Sequence, residues 1–261
     1  MYETVNLERR GGAAWLELHR PEALNAWNKQ LGIDLHGAIH EAAEDDEVRA
    51  VIITGAGRGF SSGADLKAGF DPTPEGHPDV RTALHRYHEI MMAIRRMPKP
   101  VVAGVHGPAV GIGCSLALCS DFIVAAESAY FLLAFVNIGL VPDGGSSLYI
   151  PARAGFTRAA EMALLGEKVS ATDAERWNLI NRVVPDADLE PALEQLATRF
   201  AEGPTGSFAG TKRQLNNWLF TRMEEQLELE ADIQQEMAAS GDFLEGVTAF
   251  VEKRQARFSG R

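Results

Sequence analysis

Hydrophobic residues in the first half of the chain cluster in short runs, separated by longer stretches with helical spacing. Some runs alternate apolar and polar residues, and others are continuous, which is typical of strands buried on both faces. The predicted strands are residues 4–7, 14–19, 48–54, 101–105 and 122–125. Between them, apolar residues recur every three or four positions, which predicts helices at 25–43 (capped by Asn25), 80–97 and 112–119.

From about residue 157 the apolar spacing becomes almost entirely helical. The predicted helices are residues 158–165, 172–177, 189–202, 206–220, 223–239 and 242–258, and the one predicted strand is 180–184. A strand-rich part followed by a helical part indicates an α/β fold. We expect a core of residues 1–200 and a C-terminal helical region of residues 201–261.

Composition narrows the class of protein. With 261 residues and 46% hydrophobic content, the chain is long enough to bury a large core. No apolar run approaches the roughly 18 residues of a membrane span, and residues 1–10 lack the features of a signal peptide. Cys114 and Cys119 point to different sides of one predicted helix, so we expect free thiols and a cytoplasmic protein. The net charge of −11 argues against a nucleic-acid partner.

The first segment with chemical potential is the glycine-rich run of residues 55–63. It lacks the third glycine of a dinucleotide-binding fingerprint, because Phe60 stands there, and it lacks the lysine of a phosphate-binding loop. Residues 59–63 match the G-x-S-x-G pattern of serine hydrolases. That chemistry requires a later histidine, and His106 is the last histidine of the chain, so we do not expect a serine hydrolase.

A second glycine-rich segment, residues 107–113, joins a predicted strand to a predicted helix. Glycines at such a junction let the backbone approach a ligand, and the start of the helix leaves N–H groups without partners. The positive end of the helix dipole adds to their field. These features are typical of an oxyanion hole, and a packing turn without a ligand is the alternative interpretation.

The third segment, residues 139–145, contains Pro142-Asp143-Gly144 ahead of another helical stretch. Such residues are typical of a turn, in which the aspartate caps the turn or the helix. The neighbouring residues are apolar, Phe135 and Leu140 among them, and burial there would raise the pKa of the carboxyl group. Asp143 is therefore also a candidate for proton transfer.

Taken together, these segments resemble the crotonase superfamily, also called the enoyl-CoA hydratase/isomerase family. The resemblance covers nearly the whole chain and rests on ordered motifs: HRPEALNA at 19–26, GFSSGADL at 59–66, VHGPAVG at 105–111, IGLVP at 138–142 and AFVEKR at 249–254. It implies a ClpP-like spiral of strand–strand–helix units whose C-terminal helices form trimers or dimers of trimers. It also implies an acyl-CoA thioester as substrate, with no metal and no further cofactor.

The resemblance assigns an oxyanion hole to the backbone N–H groups of Ala64 and Ile112. Ile112 replaces the middle glycine of the family's triplet, but a side chain does not remove the N–H group. Where hydratases of the family carry two glutamates, this chain has Ser115 and Phe135. Asp143 matches a position at which isomerases, and a dehalogenase, of the family carry a working aspartate. Its context resembles that of ring-epoxide phenylacetyl-CoA isomerases and enoyl-CoA isomerases.

We therefore expect an isomerase that shifts a double bond, or rearranges a ring epoxide, through a thioester enolate with Asp143 as acid and base. A hydratase in which Asp143 alone handles water is one alternative. A non-catalytic acyl-CoA-binding protein is the other.

The resemblance also indicates how CoA is held. It assigns substrate or CoA contacts to Ala23, Leu24, Ser62, Lys67 and Phe135, and to Phe250 and Lys253 of a neighbouring subunit. Because the chain is acidic and CoA is a polyanion, we expect a local basic patch at this site. His85 and His88 share a helix face at metal-binding spacing, but we expect two solvated histidines, and a structural hydrogen bond for His106.

Overall fold

The computed structural model describes residues 2–261, and its main element is a six-stranded sheet. In spatial order the strands are β1 (Val5–Arg10), β2 (Ala13–Leu18), β3 (Ala50–Gly55), β4 (Val101–Val105), β6 (Phe122–Ala126) and β9 (Arg182–Val184). β1 and β2 form an antiparallel hairpin, and the other neighbours run parallel. All the predicted strands lie in this sheet, with small differences at their ends.

A second sheet consists of the short strands β5 (Pro108–Val110), β7 (Tyr130–Leu132) and β8 (Val169–Ser170). None of the three was predicted, because strands of two or three residues are too short to show a period. The position of β5 depends on backbone hydrogen bonds to the glycine-rich run of residues 55–63. Ser61 N–H donates to Pro108 O at 2.9 Å, and Val110 N–H donates to Ser61 O at 2.9 Å.

Nine helices complete the described part of the chain. They are α1 (Lys29–Glu44), α2 (Val80–Arg96), α3 (Ile112–Cys119), α4 (Ser146–Leu165), α5 (Ala171–Arg176), α6 (Leu189–Glu202), α7 (Thr205–Leu219), α8 (Met223–Ala238) and α9 (Gly241–Glu252). α3 and α6 agree with the prediction at both ends. The two cysteines of α3 are buried free thiols, as predicted. Across residues 2–261, no helix combines the length and hydrophobicity needed to cross a bilayer.

The cap predicted for α1 was wrong. Asn28 caps this helix, since its Oδ1 accepts from Leu31 N–H at 2.9 Å. Asn25 is buried instead, and its Nδ2 donates to Ala56 O at 2.9 Å and to Gly59 O at 2.8 Å. It therefore fixes the glycine-rich run that leads to the site.

Two later helices differ from the prediction in length. α4 begins at residue 146 rather than 158, and it bends at Gly155, whose φ of 78° interrupts the helical spacing. α9 was predicted to reach residue 258, but Lys253 adopts a left-handed conformation with φ of 56° and ends the helix.

The large sheet is covered on both faces. Trp15, Ile52 and Val102 pack on one face with α6. Gly104 leaves room for this helix, because a Cβ there would lie 2.3 Å from Cδ1 of Leu193. The alternate residues of the same strands pack with α1, α2 and α3 on the other face. The main core therefore lies on the side from which the site is built.

The C-terminal helices return to this core. α8 packs against α2, and α9 packs against the 3-10 turn Phe135–Ile138. A Cβ on Gly246 would lie 2.6 Å from Ile138, so α9 makes a close contact there. α7 leaves apolar side chains exposed, above all Trp218. The division at residue 200 and the formation of trimers remain predictions.

Candidate active site

A cavity of about 460 Å³ lies at the end of β5 and the start of α3. It brings together six residues that the sequence singled out in separate segments: Ser62, Ala64, Ile112, Phe135, Asp143 and Phe250. Apolar side chains from α2 and from the loop before it form much of the remaining lining. The predicted N–H donors and the predicted carboxyl group thus share one cavity.

The first donor, Ala64, is presented by a bridge between two loops. Trp27 N–H donates to Gly63 O at 2.8 Å, and Asp65 N–H donates to Trp27 O at 2.9 Å. In this parallel pattern the residue between the two bonded ones directs its own N–H away from the partner. Ala64 N–H accordingly has no acceptor within residues 2–261. Gly63 makes the turn possible, since its φ is 89°.

The second donor is the first N–H group of α3. Because the helix begins at Ile112, this group has no intrahelical acceptor, and the helix dipole adds a positive field around it. Gly111 precedes it with φ of 53° and donates its own N–H to Leu132 O at 2.9 Å. The Ile112 side chain packs against Gly144, where a Cβ would lie 2.5 Å from its Cδ1. The substitution of glycine by Ile112 therefore leaves the N–H group in place.

The two donor segments touch each other. A Cβ on Gly63 would lie 2.9 Å from Val110 O, and a Cβ on Gly111 would lie 3.8 Å from Cα of Gly63. The Phe135 ring lies 3.8 Å from the same Gly111 position. Two residues that follow adjoining glycines and whose N–H groups lack acceptors within residues 2–261 therefore line one cavity, as the predicted oxyanion hole requires.

Asp143 lines this cavity with 5% of its surface exposed. Its Oδ2 accepts from Gln234 Nε2 at 2.8 Å, and its Oδ1 has no hydrogen-bond partner within residues 2–261. Burial, and next the nearby Glu230, raise the pKa of Asp143 well above its usual value, while the Gln234 bond opposes this rise. The N-cap of α4 is Gly145, so the Asp143 carboxyl group does not cap that helix.

Two serines fix the backbone of Asp143. Ser115 Oγ and Ser146 Oγ each donate to Asp143 O at 2.8 Å. Ser115 stands where the resemblance places a hydratase glutamate, and it is completely buried. It holds the Asp143 loop and offers no carboxylate to the cavity.

α8 adds buried polar side chains behind Asp143. Glu230 precedes Gln234 by one helical turn and accepts from Gly145 N–H at 2.8 Å and from Ser147 N–H at 3.3 Å. Burial raises the pKa of Glu230 to about 7. Glu230 and Gln234 were not predicted as site residues, although both interrupt an otherwise apolar buried stripe of α8. That interruption is the signal by which they could have been found.

Of the residues assigned to CoA near Ala64, all but Lys67 lie together. Ser62 N–H donates to Leu24 O at 2.9 Å, and Ser62 Oγ donates to Ala23 O at 3.3 Å. Ser62 lines the cavity, so the segment of Ala23 and Leu24 that it bonds to lies at the edge of the cavity. Lys67 is exposed and lies outside the lining.

At the other edge, Phe250 lines the cavity of its own chain, whereas the resemblance assigns it to a neighbouring subunit's site. Lys253 is exposed and outside the lining. Within residues 2–261 the cation that lines the cavity is Arg254, which the sequence analysis did not select and which forms an ion pair with Glu245 at 2.6 Å. In place of the expected basic patch, the cavity lining therefore contains one arginine, whose charge is already paired.

The histidines include one correction. His88 was expected to be solvated, but it is buried, with Nε2 4.0 Å from Glu230 Oε2, and burial lowers its pKa to about 4. His85 is exposed as predicted, and His106 Nε2 lies 3.1 Å from Gly57 O. Among residues 2–261, no three His, Cys, Asp or Glu side chains form a group that could hold a metal ion.

Comparisons with known proteins identify the family to which the chain is similar. The family described as enoyl-CoA hydratase/isomerase matches residues 8–261. A probable enoyl-CoA hydratase of Rhodobacter capsulatus is 42% identical, over 100% of this chain and 99% of the relative. The 1,2-epoxyphenylacetyl-CoA isomerase of Escherichia coli is 39% identical, over 100% of both chains.

The fold comparison points the same way. The crystal structure of an enoyl-CoA hydratase from Mycobacterium avium subsp. paratuberculosis superimposes with a TM-score of 0.91 and 36% identity, covering 99% of this chain and 100% of that one. The α/β arrangement with its C-terminal helices is therefore the crotonase fold predicted from the sequence. The chain belongs to the enoyl-CoA hydratase/isomerase family.

Proposed function

We propose that this protein is an acyl-CoA isomerase that shifts a double bond, or rearranges a ring epoxide, with Asp143 as the proton carrier. One observation carries the proposal. The cavity that holds the Ala64 and Ile112 N–H groups contains a buried carboxyl group with one oxygen free of any hydrogen bond within residues 2–261. A carboxyl group placed in this way can take a proton from a carbon atom and return it to another.

The thioester carbonyl binds between the Ala64 and Ile112 N–H groups. Negative charge develops on this oxygen when the carbon next to the thioester loses a proton. The two donors are fixed before the reaction begins, so they stabilise that charge without reorganisation, each by about 3 kcal/mol.

For a 3-enoyl-CoA the Asp143 carboxylate removes a proton from C2, and the electron pair spreads over C2, C4 and the thioester oxygen. The carboxylic acid then returns the proton to C4, which moves the double bond from C3–C4 to C2–C3. The raised pKa of Asp143 suits both steps, because the group is a stronger base than an exposed aspartate. The scheme needs no metal or redox cofactor.

Two positions favour isomerisation over hydration. Hydratases of the family use two glutamates, and here Ser115 bonds to the backbone of Asp143 while Phe135 packs against Gly111. Asp143 is the carboxyl group that lines the cavity within residues 2–261. A single carboxyl group is sufficient to move one proton, whereas syn-hydration uses one group to activate water and another to deliver the proton.

The remaining assignments belong to the same proposal. CoA runs along Ala23, Leu24 and Ser62 at one edge of the cavity, with Lys67 as an exposed contact for its charged end. Phe250 and Lys253 of a neighbouring subunit contact the adenine and ribose phosphate end of CoA. We also propose a homotrimer or a dimer of trimers, in which the exposed face of α7 is covered, and a cytoplasmic location, which fits the two free thiols.

Turnover of 3-enoyl-CoA and 2-enoyl-CoA in heavy water tests this function. We expect 3-enoyl-CoA to become 2-enoyl-CoA without gain of a water molecule. Asp143→Asn should lower kcat at least 100-fold with little change in KM, and Asp46→Asn, at an exposed position, is the control. A water adduct as the main product would favour the single-carboxylate hydratase, and CoA binding without turnover would favour the non-catalytic alternative.

A further inference from the structure

One face of α2 forms a wall of the cavity. Val80, Ala83, Leu84 and Tyr87 line it, and their spacing of three, four and seven residues places them on one side of the helix. The first three are apolar. The hydroxyl group of Tyr87 is the polar side-chain group of this wall. The mechanism proposed above does not use it.

The ring of Tyr87 is held in one place. It packs edge-on against Trp27, with ring centroids 4.9 Å apart and an angle of 83° between the planes. Gly32 of α1 also lies beside the ring, since a Cβ there would be in van der Waals contact with Cε1 of Tyr87 at 3.4 Å. Only 6% of the Tyr87 surface is exposed. A ring packed in this way presents its hydroxyl at a defined point.

The Tyr87 hydroxyl forms no hydrogen bond within residues 2–261, and its oxygen is not one of the fully buried unpaired atoms, so it is accessible from the cavity. Burial, and next the carboxyl group of Asp143, raise the pKa of this phenol to about 12, so it keeps its proton at ordinary pH. When a ligand fills such a cavity and excludes water, a hydroxyl left without a hydrogen-bond partner costs free energy. A fixed, unpaired O–H group in a ligand cavity indicates an acceptor on the ligand.

The thioester oxygen is not that acceptor, since the Ala64 and Ile112 N–H groups already bind it. Tyr87 shares its wall with apolar residues and lies near Asp143, which faces the reacting carbons. We infer that the Tyr87 hydroxyl donates a hydrogen bond to an oxygen atom on the acyl group, and that it selects acyl-CoA thioesters carrying such an oxygen. The inference rests on the proposed function for the placement of the acyl group. A ketone, ether, epoxide or hydroxyl oxygen would serve.

Binding of unreactive ligands tests this inference. Octanoyl-CoA and its 4-oxo, 5-oxo and 6-oxo derivatives have the same length and contain no double bond to shift. By calorimetry we expect the native protein to bind at least one oxo derivative about threefold to tenfold more tightly than octanoyl-CoA. Tyr87→Phe should abolish that preference and leave the affinity for octanoyl-CoA within about twofold. Tyr2→Phe, which removes a hydroxyl bonded to Glu41 outside the cavity, should keep the preference.

Three results would overturn the inference: no preference for any oxo derivative in the native protein, a preference retained in Tyr87→Phe, or an equal loss of affinity for all four ligands. The last would show that Tyr87 only maintains the shape of the cavity. Because the ligands are saturated, none of these results depends on proton transfer. Failure of Asp143→Asn to slow isomerisation would instead overturn the proposed function and leave the binding result intact.

Discussion

The two sides of the cavity are built in different ways. The backbone wall (Gly63-Ala64 and Gly111-Ile112) offers two N–H groups whose direction follows from chain conformation and neighbouring turns. The carboxyl wall (Asp143 with Glu230 and Gln234) offers a side chain whose protonation follows from other side chains about ninety residues away in sequence. We therefore expect the backbone wall to tolerate substitution of the Ala64 and Ile112 side chains but not of Gly63 or Gly111. The carboxyl wall should be sensitive to single polar side chains.

A methyl group at Gly63 should break the backbone wall and give the largest effect. Alanine there would be strained at φ of 89°, and its Cβ would lie 2.9 Å from Val110 O, so the chain must shift and Ala64 N–H must turn. We expect Gly63→Ala to lower kcat about 100-fold to 1,000-fold, the loss typical of one oxyanion-hole donor. Steady-state kinetics on 3-enoyl-CoA measures it.

Gly69 provides the matched control, because its φ of 70° is similar and a Cβ there meets nothing within 4 Å. Gly69→Ala should keep kcat within a few-fold of native. If Gly63→Ala folded normally and kept native kcat, the backbone wall would not depend on this glycine.

A leucine at Gln234 should disturb the carboxyl wall alone, with a smaller effect. The Gln234 amide donates to Asp143 Oδ2 at 2.8 Å and thereby lowers the pKa of Asp143, so its loss should raise that pKa further. The reaction starts from the carboxylate, so the rise of kcat/KM with pH should move to higher pH. Near neutral pH, kcat/KM should fall about tenfold for each pH unit by which the profile moves.

Two variants of α8 make this result specific. Glu230→Gln removes a negative neighbour that raises the pKa of Asp143, so its pH profile should move in the opposite direction. Gln235→Leu changes the next residue, whose bonds go to the start of α2, and it should leave the profile unchanged. Movement of the profile in the same direction in all three variants would contradict an electrostatic role for α8.

Only part of the backbone wall has local signals in the sequence, because Ala64 and Ile112 were assigned as donors by the resemblance. The glycines of residues 107–113 indicated a close backbone approach at the start of α3, and α3 was predicted with its observed bounds. The long strands of the main sheet also carry their own apolar pattern. The short strand β5 was missed, because it depends on bonds to Ser61 rather than on its own residues.

The carboxyl wall could be predicted only in part. Asp143 was selected from its apolar neighbours and from the resemblance, but Gln234 and Glu230 reach it through tertiary packing. Nothing near Asp143 in sequence indicates which helix folds over it. His88 was misjudged for the same reason: its burial comes from α8, which packs against α2. The sequence alone therefore did not predict side-chain environments that depend on packing against distant elements.

The smallest expected effect is on stability rather than on rate. It concerns the carboxyl wall, because the backbone wall has no titrating group. The pKa of Asp143 is higher in the folded state than the value of about 3.9 expected when unfolded, so above that pH the folded state holds more protons. Stability conferred by the neutral carboxyl group is therefore present at low pH and is lost as pH rises toward the folded pKa. Asparagine does not titrate.

Asp143→Asn should consequently gain stability relative to the native protein as pH rises from about 4, by about 1.4 kcal/mol for each pH unit between the unfolded and the folded pKa of Asp143, and the gain should level off above the folded pKa. Urea unfolding at pH 5 and pH 8 measures the difference, with Asp46→Asn as the exposed control. Glu230 titrates in both proteins and largely cancels. A stability difference independent of pH would mean that the Asp143 carboxyl group is solvated in the folded state. Ionisation of the carboxyl wall would then cost no stability.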